Sequence, residues 1–242
     1  MENLVDTDLV YLKNTYEFEM TAKLLKFGKD EKGTYLILDR TLFYPQGGGQ
    51  PSDLGKILVK HLTLNITFVS FNNGLVHHYY NNENADETTL NLDDLIGVQV
   101  DLKIDSSRRI NNAKSHTSGH LLASIVEKLA PEITAIKGYH FPDGPYIEFK
   151  GKLATMSGED LIAQAHFILK EDISLARQVI VSENVNEKLD DGKKKMRFVK
   201  VDGYNDVPCG GTHLKNISEI KEVAIRKIQF PKGNTKISYS YS

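Results

Sequence analysis

Gly28, Gly33, Gly55, Gly74 and Gly97 punctuate a series of stretches in residues 1–100 that are short, β-branched and often alternating. EFEMTAKLLKF (17–27), TYLILD (34–39), KILV (56–59), LTLNITFV (62–69) and VQVDLKI (98–104) each have a strand's length and composition. Asn72-Asn73-Gly74 supplies the residues that a tight hairpin turn demands. This half is expected to fold as a small barrel or sandwich.

The period changes at Asp105. Asp105 or Ser106 can cap a helix that runs through RRINNAKSHTSGHLLASIVEKLA and stops before Pro131, with Leu121, Leu122, Ile125, Val126 and Leu129 as its apolar face. Ser157 and Asp160 resemble a capping box for a second helix through LIAQAHFILKEDISLARQ. PYIEFKG (145–151), IVSENV, MRFVKV and a final hairpin, VAIRKIQF–PKGN–TKISYSY, read as strands. The class is α+β, with an all-β domain over 1–104 and a mixed domain over 105–242.

With 40% hydrophobic and 26% charged residues, this is the composition of a soluble globular protein. No apolar run reaches the ~20 residues of a membrane span, and the N-terminus lacks the basic start and apolar core of a signal peptide. A single cysteine makes no internal disulfide and points to a reducing cytosol, with no disulfide-linked partner. The net charge of −2 gives no global attraction to nucleic acid, so RNA binding would need a local basic patch.

The only cysteine lies in PCGGTH (208–213), where Pro208, Gly210 and Gly211 break regular structure. Cys209 and His213 are therefore expected on a tight loop, which could hold a metal, present a nucleophile or simply turn the chain. HTSGH places His116 and His120 one helical turn apart, facing the same way. Two imidazoles together with a thiolate and a further imidazole suit tetrahedral zinc. Thr117 stands where the helical metallopeptidase motif carries its glutamate base, so a built-in base is absent. A reactive ester would lower that demand, because metal-bound water attacks near neutral pH.

The third stretch is DRTLFYPQGGGQPSDLG (39–55). Gly47, Gly48 and Gly49 followed by Gln50-Pro51 permit close approach of a chain, domain or ligand, and no Gly-Lys-Ser/Thr follows to make a phosphate loop. Among basic groups, Arg108, Arg109 and Lys114 precede the histidines, and Lys193, Lys194, Lys195 and Arg197 precede the cysteine loop. Flanking a metal site, they would grip a phosphate backbone.

FYPQGGGQPSDLG, HTSGH, KGYHFPDGPYIEFKG and PCGGTH together resemble the motifs of AlaX-type alanyl-tRNA editing proteins. These are stand-alone relatives of the editing domain of alanyl-tRNA synthetase and, more distantly, of threonyl-tRNA synthetase. The likeness runs in order from about residue 16 to the C-terminus. It implies an N-terminal β-barrel with the glycine-rich motif and a C-terminal α/β editing domain. It also implies a catalytic zinc ion held by His116, His120, Cys209 and His213. The implied reaction is hydrolysis of mischarged tRNA at its acceptor end, removing serine and sometimes glycine from alanine tRNA. Thr41 matches a threonine that relatives use near the amino-acid side chain, with Thr117 the second candidate. The chain ends soon after its final hairpin, without the extra C-terminal domain of the longer members.

Overall fold

The computed structural model describes residues 5–60, 62–81, 92–185 and 195–242. They divide into two compact units, one within Met1–Gly47 and Pro51–Ile110, the other within Gly48–Gln50 and Asn111–Ser242.

The first unit holds β1 (Asp8–Leu9), β2 (Glu19–Asp30), β3 (Gly33–Leu38), β4 (Arg40–Thr41), β5 (Gly55–Val59), β6 (Leu62–Asn72), β7 (Leu75–Asn81) and β8 (Gln99–Ile104). Six of these close a barrel in the order β2-β3-β7-β6-β5-β8, while β1 and β4 form a short parallel pair. Alternation decides which face is buried. In β8, Val100, Leu102 and Ile104 are buried and Gln99, Asp101 and Lys103 exposed, and the inward set joins Leu24, Leu38 and Ile57 in one core. Asn73 and Gly74 both take positive φ, 48° and 83°, as the two-residue turn between β6 and β7 requires.

One ion pair is buried with that unit. The Arg109 guanidinium, fully enclosed, donates to the Asp53 carboxylate (Nε to Oδ2, 3.0 Å) and to the carbonyl of Thr15 (3.1 Å), and Asp53 also accepts the Tyr44 N–H at 2.7 Å. The expectation that Arg109 would face a phosphate backbone is therefore corrected. All three guanidinium nitrogens bond internally, and leaving Asp53 unpaired would cost about 3–5 kcal/mol.

The second unit takes most of α1 (Ser106–Leu129), then β9 (Thr134–Tyr139), β10 (Tyr146–Lys150) and α2 (Gly158–Ser174). These are followed by β11 (Val179–Val185), β12 (Lys195–Val201), β13 (Val207–Pro208), β14 (Val223–Gln229) and β15 (Thr235–Tyr241). Asp105 caps α1 by accepting the Arg108 N–H at 2.9 Å, and the helix ends just before Ala130-Pro131. Leu121, Leu122, Ile125 and Val126 are completely buried, as their spacing anticipates. Ser157 caps α2 by accepting the Asp160 N–H at 3.0 Å. Two sheets run in the orders β14-β15-β10-β9 and β11-β12-β13. The β9 strand has no clean alternation and its residues are half exposed, so periodicity does not reveal it.

Candidate functional site

His116 and His120 lie one turn apart on α1, and β13 runs directly into the loop that carries Cys209 and His213. Arg197 of β12 clamps that loop, donating from Nη1 to the carbonyls of Cys209 (2.7 Å) and Gly211 (3.0 Å). The two glycines have different jobs. A Cβ on Gly211 would stand 2.2 Å from Cε1 of His116, so only glycine lets that ring pack against the loop, whereas Gly210 is open. One donor atom from each of the four residues comes together, all within 4.8 Å of one another.

Hydrogen bonds fix which nitrogen faces the cluster. Gln50 Oε1 accepts from the Thr212 N–H (3.2 Å), which orients the amide, and lies 2.7 Å from Nδ1 of His116. A carbonyl oxygen only accepts, so Nδ1 carries the proton and Nε2 presents its lone pair, 3.4 Å from the Cys209 sulfur. The Thr117 hydroxyl lies 3.1 Å from Nδ1 of His213 and accepts the Leu214 N–H at 3.1 Å. Nε2 of His213 is 3.2 Å from the same sulfur. Gln50 and Thr117, expected against the substrate, thus orient the two imidazoles.

The donor set fits a divalent cation. Ligand atoms on a tetrahedral zinc lie roughly 3.5 Å apart, close to the sulfur–nitrogen distances here. Burial and neighbouring imidazoles push His116 and His213 well below the ordinary imidazole range, and burial brings His120 to about 4. All three are neutral at pH 7, the form that binds metal. Burial pushes the Cys209 thiol up, a cost that a bound cation offsets, and the Gly211 N–H at 3.3 Å from the sulfur also favours thiolate.

The cluster opens on a cavity of 350 Å³ whose walls include His120, Gly138, His140, Glu127 and Gly48. Within this unit the backbones of Gly49 and Gly138 cross closely. Gly49 has φ +75°, a Cβ there would meet the Gly138 carbonyl oxygen at 2.1 Å, and its own carbonyl accepts the His140 N–H at 2.7 Å. Gly47 groups with the first unit, where its carbonyl accepts from the Tyr44 hydroxyl at 2.8 Å.

Thr41 has a different setting from the one expected. It is fully buried in the first unit, 2.7 Å from Nε2 of His78. Nδ1 of His78 lies 3.1 Å from the Leu36 carbonyl, which requires its proton, so the Thr41 hydroxyl donates to Nε2. Its oxygen accepts the Phe43 N–H at 3.0 Å. Arg108 is half-buried and donates to the Ser52 carbonyl at 3.0 Å, and Lys114 is half-buried on α1. Lys193 and Lys194 lie outside the described residues. Nothing local in the sequence assigns a role to His140, although its motif KGYHFPDG stands out, and Arg197 reads there as part of a basic run.

Two family models match the chain, tRNA synthetases class II (A) over residues 6–108 and the threonyl and alanyl tRNA synthetase second additional domain over residues 196–236. The alanyl-tRNA editing protein AlaX-M of Methanosarcina barkeri is 32% identical, over 92% of this chain and 93% of its own length. That of Methanosarcina mazei is 30% identical over 97% and 96%. An alanine–tRNA ligase of Methanobrevibacter smithii is 30% identical over 93% of this chain, which spans 26% of that larger enzyme. Matched nearly end to end by stand-alone relatives, and by only a part of the ligase, the chain belongs to the AlaX family of alanyl-tRNA editing proteins.

Proposed function

We propose that this chain is a zinc-dependent trans-editing hydrolase of the cytoplasm that removes serine, and secondarily glycine, from mischarged alanine tRNA. The convergence of His116, His120, Cys209 and His213 at the edge of a cavity carries the reading. The names of the relatives support the tRNA substrate. No helix among the described residues is long and apolar enough to cross a membrane.

When bound, the cation supplies Lewis-acid chemistry toward water or the ester carbonyl. The chain's own residues do the rest. Gln50 and Thr117 hold His116 and His213 with their Nε2 atoms toward the metal, and Arg197 fixes the loop that brings Cys209. Residues 1–104 form a barrel domain with the glycine-rich motif, and residues 105–242 form the zinc-dependent editing domain. Arg108, Lys114, Lys193 and Lys194 receive the acceptor-end phosphates.

Two rivals are a non-catalytic zinc-stabilised RNA-binding module and a hydrolase with Cys209 as nucleophile. A cavity opening on the ligands argues against the first. A thiol raised by burial is a poor nucleophile, which argues against the second. The test is deacylation of seryl-, glycyl- and alanyl-tRNA(Ala) beside seryl-tRNA(Ser), before and after chelation and zinc return. Fast seryl-tRNA(Ala) turnover that vanishes with the metal and returns with it is expected. Turnover indifferent to chelation would defeat the zinc reading, and no turnover with tight tRNA binding would favour the module.

A further inference from the structure

His140 is held with unusual completeness for a side chain that is not one of the four metal donors. Its backbone N–H donates to the Gly49 carbonyl at 2.7 Å, and its ring stacks on His116 with centroids 4.3 Å apart at 22°. Nδ1 lies 2.8 Å from the Tyr239 hydroxyl, and that hydroxyl donates to the Ser115 carbonyl at 2.9 Å. The one phenolic proton is thereby used, so Nδ1–H must donate to Tyr239 and Nε2 is left as an acceptor. The ring fills a cradle of two glycines. A Cβ on Gly119 would meet Cε1 at 2.4 Å, and one on Gly138 would meet Nε2 at 2.2 Å. Glycine inside a helix is less favourable than alanine. Here it stands between two metal ligands and makes room for this ring.

Among the described residues none donates to Nε2 of His140, and the residue lines the cavity beside His116, His120 and Cys209. It is an acceptor of fixed orientation on a residue of the cavity wall. Of the two threonines expected to read a substrate hydroxyl, Thr41 donates to His78, and the Thr117 oxygen serves His213 and Leu214. The Ser118 hydroxyl is unpartnered but sealed from the cavity.

We propose that Nε2 of His140 accepts the hydrogen bond of the serine hydroxyl and so distinguishes seryl- from alanyl- and glycyl-tRNA(Ala). This deepens the editing reading and rests on it. An acceptor left unpaired by alanine or glycine disfavours both without any steric clash, and hydroxyl-reading sites reach discrimination of about 10⁴-fold or more. The α-amino group also donates, but every aminoacyl ester carries it, so an acceptor spent there would not discriminate.

The test uses two variants of the zinc-loaded protein. His140→Asn keeps an N–H near the Nδ1 position and deletes Nε2, whereas His140→Gln reaches the Nε2 position with an amide oxygen. The ratio of seryl- to glycyl-tRNA(Ala) deacylation should fall about tenfold to a hundredfold in the asparagine variant and recover in part in the glutamine variant, with zinc content unchanged in both. Equal loss on both substrates would overturn the proposal in favour of a contact common to all esters. Loss of zinc with the ratio intact would overturn it in favour of scaffolding. Calorimetry with 3′-seryl- and 3′-alanylamido-3′-deoxyadenosine gives a readout independent of turnover. Wild type should bind the seryl compound at least tenfold tighter, and the gap should close in His140→Asn. A wild type that binds both equally would refute the assignment, and one that shows the gap but hydrolyses no tRNA would refute only the editing reading.

Discussion

At the scale of single residues, Gln50 is tied most closely to the metal donors. Gln50→Leu leaves the Nδ1 proton of His116 without its acceptor and frees the ring to turn. Losing an orienting partner of this kind typically weakens metal binding 10- to 100-fold, a loss that chelator competition would register, and Gln50→Glu should restore most of it. His78 carries a pH signature. Its imidazole is enclosed and pushed down to about 4, chiefly by burial. The unfolded chain takes up its proton near 6.5, so its stabilising contribution is complete above that pH and is lost as pH falls toward 4. The drop is about 3 kcal/mol. Urea melts at stepped pH should show this slope flattened in the double variant Thr41→Val/His78→Leu. Thr41→Val alone should cost roughly 1–3 kcal/mol at neutral pH by leaving Nε2 of His78 unpaired. The clustering of His116, His120, Cys209 and His213, which could hold a metal, was legible because their types and spacings are rare together. Gln50, Arg197 and His140 were not, since each acts on a partner distant in sequence and no local pattern records which group an amide or imidazole will meet.

At the scale of elements, α1 and the barrel strands were legible because burial follows their period: Leu121, Leu122, Ile125 and Val126 on the helix, and Val100, Leu102 and Ile104 on β8. The β9 strand was not. It is half exposed on both faces and carries Gly138 where the Gly49 backbone crosses, so close approach rather than side-chain alternation defines it. The same reasoning inverts an ordinary helix rule. Gly→Ala inside a helix stabilises by about 1 kcal/mol. On α1 the new methyl of Gly119→Ala would meet the His140 ring and the Tyr239 hydroxyl oxygen at 2.7 Å. Overpacking of this kind costs about 1–3 kcal/mol, so the melting temperature should fall instead of rising. Gly210→Ala, with open space around it, should leave the melting temperature almost unmoved.

At the scale of the whole molecule, the change of period at Asp105 is the sequence's signal for a passage from strands to a mixed fold. It did not show that Gly48–Gln50 group with the later residues while Gly47 and Pro51 stay with the earlier ones. A run of glycines signals close approach without naming what approaches. That division makes a severed chain informative. Residues 105–242 retain Asp105 to cap α1 and all four metal donors, yet lack Gln50, the partner of His116, and the Gly49 carbonyl that holds the His140 N–H. The fragment should bind zinc with affinity lowered about 10- to 100-fold, the same loss as full-length Gln50→Leu, because both remove one orienting bond. Its deacylation of seryl-tRNA(Ala) should fall further than that of Gln50→Leu, since the fragment also loses the anchor of His140. Circular dichroism would establish that the fragment is folded, and chelator competition and turnover would then be measured on both proteins side by side. Editing by the fragment at the full-length rate would mean that the glycine-rich segment contributes nothing to the site, and the roles assigned to Gln50 and Gly49 would fall with it.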